Sequence, residues 1–294
     1  MLQFIVEYLF IEPGTGDIIR ACTAMAMLLI ASYYDVKERR VENILWFVFL
    51  PLGAAEMLFE VGTTPVRALA PAALMLFYML VFFEGTSGTW VGGILGAAYL
   101  AVLYMSEGTG TFFIQVLTAV VMYGVIYGLY MAGIVHGGAD AKCLMVLTLM
   151  FWRYPTWLDI PQGFQVLFPY SLTVLINAAL VTVVSVPVYT AAKALSRGER
   201  TWFAFFGYPM DIERVERSFV WLMEVPEGDD TVLVLFPSRD EARMKERLEK
   251  LRDMGRKEVW VSPQVPFMVP LAAGMLLALT AGNLIVAAVL AALS

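Results

Sequence analysis

Apolar segments of membrane-spanning length follow one another along most of this chain, and few folds can bury that much apolar surface. A helical span needs roughly 17–25 such residues. On that measure about eight spans are expected, near residues 18–34, 44–61, 66–83, 90–105, 111–135, 141–152, 167–194 and 265–293. The punctuation between them is charged or turn-forming: Lys37-Glu38-Arg39-Arg40, Gly62-Thr63-Thr64-Pro65, Glu84-Gly85-Thr86-Ser87-Gly88, Glu107-Gly108-Thr109-Gly110, and Pro155, Pro161 and Pro169. Only 16% of residues are charged against 60% apolar, where soluble chains carry about 25% and about 45–50%. The reading is an α-helical polytopic membrane protein.

The charge that exists is unevenly placed. Twelve of the twenty Lys/Arg lie between Arg197 and Lys257, so residues 195–264 read as a soluble insert between a transmembrane core, 1–194, and a final span, 265–294. Within the insert, Thr231–Phe236 and Glu258–Ser262 have strand composition. Between them Ser238 with Glu241 fits a capping box, opening a helix whose face carries Ala242, Met244, Leu248 and Leu251 and which Gly255 ends. The expectation is a small α+β insert built on a β-α-β unit. Met1–Ile11 lacks a basic region and a small-residue cleavage site, and reads as a short interfacial helix rather than a removable signal.

With the amino terminus outside, eight spans put Lys37, Arg39, Arg40, Lys142, Lys193 and the insert on one side. That is seventeen Lys/Arg against Arg20, Arg67 and Arg153. The positive-inside rule makes the richer side cytoplasmic and the protein a multi-pass resident of the cell membrane. A net charge of −6 gives no support for nucleic-acid binding. One His and two Cys in apolar segments, Cys22 and Cys143, argue against a metal centre, a disulfide or a cofactor.

Two acids stand out because carboxylates at membrane ends are expensive and are read as functional. Asp35 closes the first span, and Asp140 follows His136-Gly137-Gly138-Ala139 at the head of the sixth. Each has a lysine two residues on, Lys37 and Lys142, and both fall on the cytoplasmic side; an error of one in the span count between them would separate them. The sixth span has only twelve residues, Ala141–Trp152, before Arg153, so Asp140 belongs inside the membrane, lining a wet cavity. Two carboxylates sharing a proton are what an aspartyl protease needs. Gly137 and Gly138 would give the turn positive φ and close backbone approach. Lys37 and Lys142 would temper the charge of the pair or reach lipid phosphates, and Asn43 would cap or orient its loop. His136 reads as a local hydrogen-bonding residue, and Asn177 as an interhelical bond rather than a ligand.

Asp35-x-Lys37-x-Arg39-x-Val41-x-Asn43, with Gly137-Gly138-Ala139-Asp140-x-Lys142, resembles the archaeal branch of the prepilin peptidases, which includes the preflagellin peptidases and belongs to the GxGD aspartyl proteases. Val259-Trp260-Val261-Ser262-Pro263 to Pro266-Phe267 is similar to a stretch of the same branch. Ala139 departs from the family pattern, standing where its second glycine would be. The resemblance implies that Asp35 and Asp140 are catalytic and that the substrates are prepilin- or preflagellin-like precursors, cut on the cytoplasmic side after a short basic leader. Glu38, Glu42 and Glu84 on that face would attract the leader. Rival readings are a proton-coupled transporter, disfavoured because both acids lie at one side rather than at midplane, and a non-catalytic pilus or flagellum assembly factor.

Overall fold

The computed structural model describes residues 13–62, 64–83, 85–135, 137–158, 160–228, 230–238 and 240–293. The expected interfacial helix at Met1–Ile11 lies outside them. The chain divides into two units, Met1–Ala179 with Pro266–Ser294, and Leu180–Val265.

The first unit is helical: α1 (Pro13–Glu38), α2 (Asn43–Glu60), α3 (Pro65–Ala68), α4 (Ala70–Phe83), α5 (Gly85–Glu107), α6 (Thr111–Met131), α7 (Gly138–Met150), α8 (Gln162–Leu167), the start of α9 (Tyr170–Ser196), then α12 (Met268–Ala281) and α13 (Leu284–Leu293). Among the described residues five helices are long and apolar enough to cross a membrane: Gly14–Glu38, Asn43–Glu60, Gly88–Glu107, Thr111–Met131 and Tyr170–Ser196. The burial pattern explains their apolarity on both faces. In α1, Ala24, Met27, Leu28 and Ala31 recur at helical spacing and are fully buried, while Leu29, Ile30, Tyr33 and Tyr34 point outward. In a soluble protein that outer face would be polar; here it suits lipid.

α7 is the element the others surround. Every residue from Cys143 to Met150 is buried, and the helix packs on α1, α2, α4 and α6. Thirteen residues at 1.5 Å each span about 20 Å, short of a hydrocarbon core about 30 Å thick. Close packing tightens this centre: a Cβ on Gly53 of α2 would lie 2.6 Å from the Met150 side chain. Small residues permit such approach where no water drives helices together.

The last expected span is broken in two. Gly282 adopts φ +68 and ends α12, and Asn283 caps α13 by accepting from the Ile285 and Val286 amides. Buried Asn177 of α9 satisfies the loose ends, donating to the Gly282 carbonyl at 2.9 Å and accepting from the Leu284 amide at 3.1 Å. A backbone break away from water requires such partners, so the interhelical role expected of Asn177 is the one it has.

Opposite the ends that carry Asp35 and Asp140, a buried ionic cluster closes the unit. Fully buried Arg20 pairs with Asp17, with Glu60 at 2.6 Å, and with the Met150 carbonyl at the end of α7 at 3.1 Å. Arg153 reaches Asp17 at 2.9 Å and Glu60 at 3.2 Å, and Thr156 donates to Asp17 through its amide and hydroxyl, each at 2.7 Å. Arg20 and Arg153, read from the sequence only as outer-side charges, are therefore internal ties.

The second unit begins with the last turns of α9 and continues through a 3-10 turn (Trp202–Phe205), β1 (Tyr208–Asp211), α10 (Ile212–Val215), β2 (Val220–Leu222), β3 (Glu224–Glu227), β4 (Asp230–Leu233), α11 (Glu241–Asp253) and β5 (Glu258–Pro263). β5 is the centre of an antiparallel sheet of order β1-β5-β2, while β3 and β4 form a separate hairpin. The expected β-α-β unit is thus corrected: the strands flanking α11 belong to different sheets. The strands without a signature in the sequence are three or four residues long, and two carry prolines, Pro209 and Pro226, which a strand tolerates at an edge. α11 starts two residues later than expected. Asp240 is its cap, accepting from the Ala242 and Arg243 amides, and Ser238 accepts from the Asp240 amide instead. Leu248 and Leu251 are buried in the insert core as the periodicity implied, Ala242 is exposed, and Gly255 at φ +75 follows the helix end.

Candidate active site

Four helix ends of the first unit converge on the acid pair. Asp35 sits three residues before the end of α1 and is half-buried; Asp140 lies in the first turn of α7. The two carboxylates lie within electrostatic range of each other. Two helix amino termini face this point. One is that of α7 itself, whose positive end favours an acid in its first turn. The other is α12, whose first amide, Met268, donates to Asp35 Oδ2 at 3.0 Å. Arg39 turns the chain after α1 in a left-handed conformation (φ +53), and its guanidinium also lies within electrostatic reach of Asp35. From the fourth end, that of α2, Asn43 accepts a bond from Lys142 at 2.8 Å, tying the α2 start to the first turns of α7.

The glycine turn works differently from the expectation. Neither Gly137 nor Gly138 has positive φ; the left-handed residue is Gly133, four positions before Gly137. Gly137 is the residue before α7, extended at φ −89 and ψ 120. A Cβ there would collide with the Asp140 carboxylate, which folds back over it, whereas a Cβ on Gly138 would meet only the Tyr130 hydroxyl at 3.5 Å. What position 137 demands is an absent side chain.

The remaining sequence candidates divide. Lys142 and Asn43 join each other beside the pair. Lys37 points elsewhere, exposed, 3.7 Å from Glu38 and 5.7 Å from the Tyr33 ring centre. Glu38 and Glu42 are exposed near the same end of the unit; Glu84 and His136 lie outside the described residues. The Met268 amide had no signature in the sequence, because a backbone donor belongs to no residue type. The nearest feature in the sequence is the Pro266-Phe267 pair just before it. At the far end, a cavity of about 590 Å³ is lined by Glu60, Arg67, Glu107, Gln115 and Trp152 and contains neither aspartate.

Fold and site together define a helical protein with several helices long and apolar enough to cross a membrane, two neighbouring acids at helix ends, and a small sheet-bearing unit. The family described as archaeal peptidase A24 C-terminus, type II, matches residues 199–284, a stretch holding the insert and α12 but neither Asp35 nor Asp140. A preflagellin peptidase of Methanocaldococcus jannaschii is 22% identical over 270 residues, covering 88% of this chain and 92% of the relative. These matches support membership of a preflagellin peptidase-like family and a peptidase activity. No solved structure matches the chain.

Proposed function

We propose that this protein is a GxGD-type aspartyl endopeptidase of the membrane that removes short basic leaders from prepilin- or preflagellin-like precursors. Residues 1–194 and 265–294 form its eight-span core, and residues 195–264 a cytoplasmic insert. The amino terminus is outside and the acid pair opens to the cytoplasm, where the positive-inside count puts seventeen of twenty Lys/Arg. What supports the reading most is that Asp35, near the end of α1, and Asp140, in the first turn of α7, lie within electrostatic range of each other. The likeness to a preflagellin peptidase along most of the chain supports it and supplies the substrate class.

The chemistry needs one proton shared between two acids. The ionised carboxylate takes a proton from water as the oxygen attacks the scissile carbonyl, and the protonated one gives its proton to the carbonyl oxygen. Collapse of the tetrahedral intermediate breaks the C–N bond, and the amine leaves with a proton from the pair. Met268 and Arg39 hold Asp35 in place; Lys142 with Asn43 fixes the turn that presents Asp140.

Position 137 gives a sharp test of that geometry. Gly137→Ala places a methyl where the Asp140 carboxylate lies, and a displacement near 1 Å costs about 100-fold in rate. Gly138→Ala meets only an ordinary contact and should retain most activity. Initial rates of precursor cleavage in detergent check this; equal losses at both positions would contradict it. Leader selection rests on the acidic surface. Paired reversal of Glu38 and Glu42 to Lys should slow cleavage of a basic leader more than that of a leader with its lysines neutralised, because exposed charges steer binding rather than chemistry. Mass spectrometry of the products locates the cut, and equal slowing of both substrates would remove these glutamates from recognition.

A further inference from the structure

The insert carries an aromatic patch that no step of the peptidase reading uses. We infer that the 3-10 turn Trp202–Phe205, with Phe206, is a membrane-surface anchor that inserts its aromatic rings at the headgroup–acyl boundary beside the end of α9. Its occupant is the lipid surface itself. Trp202, Phe205 and Phe206 are 57%, 55% and 40% exposed, a concentration of apolar area that water penalises. Each such ring buries some 150–250 Å² when covered.

The patch is presented rigidly. Trp202 stacks on Phe203 at 4.3 Å and meets Phe206 edge-on at 5.9 Å. Phe203 in turn meets Trp260 of β5 at 6.5 Å. Ala204 is buried in the insert core, and Gly207 passes so close over β5 that a Cβ would strike the Val261 backbone. The turn therefore has one side fixed inward while its rings point out.

Lipid is the occupant because the patch continues a lipid-facing flank within the same unit. α9 has 27 residues, about 40 Å of helix, longer than a hydrocarbon core of about 30 Å, so its last turns run through the headgroup layer. Val184 and Val188 are exposed on the turns before these, and Leu195 on the last. Gly198, at φ +84, folds the chain back, with the Glu199 amide bonded to the Ala194 carbonyl at 3.1 Å. Tyr208 then packs edge-on against Tyr189 of α9 at 6.0 Å, and Ala194 shares the core with Ala204. The aromatic turn thus lies alongside the helix where it crosses the headgroups. Exposed Lys193 and Arg200 flank it, cations suited to lipid phosphates, while Arg197 between them pairs with Glu258, and aromatic rings concentrate at this depth.

The test uses the full-length protein in nanodiscs of phosphatidylcholine brominated at the 6,7 acyl positions, against unbrominated discs. The signal is the tryptophan fluorescence lost on Trp202→Phe. Bromolipid should quench more than about half of that component, and aqueous iodide should leave it intact, as for an interfacial indole. Phe205→Trp in the Trp202→Phe background should restore a lipid-quenched component. Quenching by iodide alone would mean a patch facing water, and quenching by neither would mean a protein cover such as a second copy; either overturns the proposal. None of these readouts depends on peptidase activity, so failure here leaves the proposed function standing, and the reverse.

Discussion

Asparagine in place of either Asp35 or Asp140 is expected to abolish precursor cleavage while leaving the protein folded. Asparagine keeps the shape of the side chain, and its Oδ1 can still accept the Met268 amide that holds position 35. What it removes is the capacity to carry or release a proton. Proton transfer by a positioned side chain contributes about 10²–10⁴-fold, and in the proposed mechanism one proton serves two acids, so either loss disables both steps. Cleavage of a pilin-type precursor, followed by gel shift with equal amounts of each variant, checks it. Turnover persisting in Asp35→Asn would mean that the second acid acts alone.

The largest stability effect belongs to the opposite end. Arg20→Met strips the donor shared by Asp17, Glu60 and the Met150 carbonyl, leaving buried carboxylates with Arg153 as their remaining cation. Breaking one partner out of a buried ionic network costs about 3–5 kcal/mol. Thermal unfolding in detergent should show it as a large drop in Tm. Arg20→Lys should recover only part, since an ammonium cannot reproduce the guanidinium fork. Neutralising Asp17, Arg20, Glu56, Glu60 and Arg153 together should cost less than Arg20→Met alone, because the carboxylates that face Arg20 are then no longer charged. An unchanged Tm in Arg20→Met would contradict the reading of the cluster as a tie on the end of α7.

Much of this was legible in the sequence, for identifiable reasons. Helix positions follow from runs of apolar residues, and the shortness of the sixth segment singled out the acid at its head. The expectation that Asp35 and Asp140 belong on one side followed from counting spans. Three things were hidden. The ionic cluster joins residues 17, 20, 60, 153 and 156, whose separations carry no period. The break at Gly282-Asn283 sits inside an apolar run, and only its partner Asn177 betrayed a polar need. In the insert, strands of three or four residues are too short for alternation to register, so the sheet order around β5 had no precursor in the pattern. The role of Gly137 was misread because glycine signals either left-handed backbone or missing bulk, and only the folded-back Asp140 carboxylate decides between them.

Cross-linking at the acid pair itself is the direct check, because it requires no substrate. In a background of Cys22→Ser and Cys143→Ala, Asp35→Cys and Asp140→Cys are combined, and the protein in nanodiscs is treated with a short bifunctional thiol reagent. Mass spectrometry should find one linker bound at both ends and no thiol left for a second reagent. Two linkers, each attached at one end, would place the residues apart and contradict a single site built from Asp35 and Asp140.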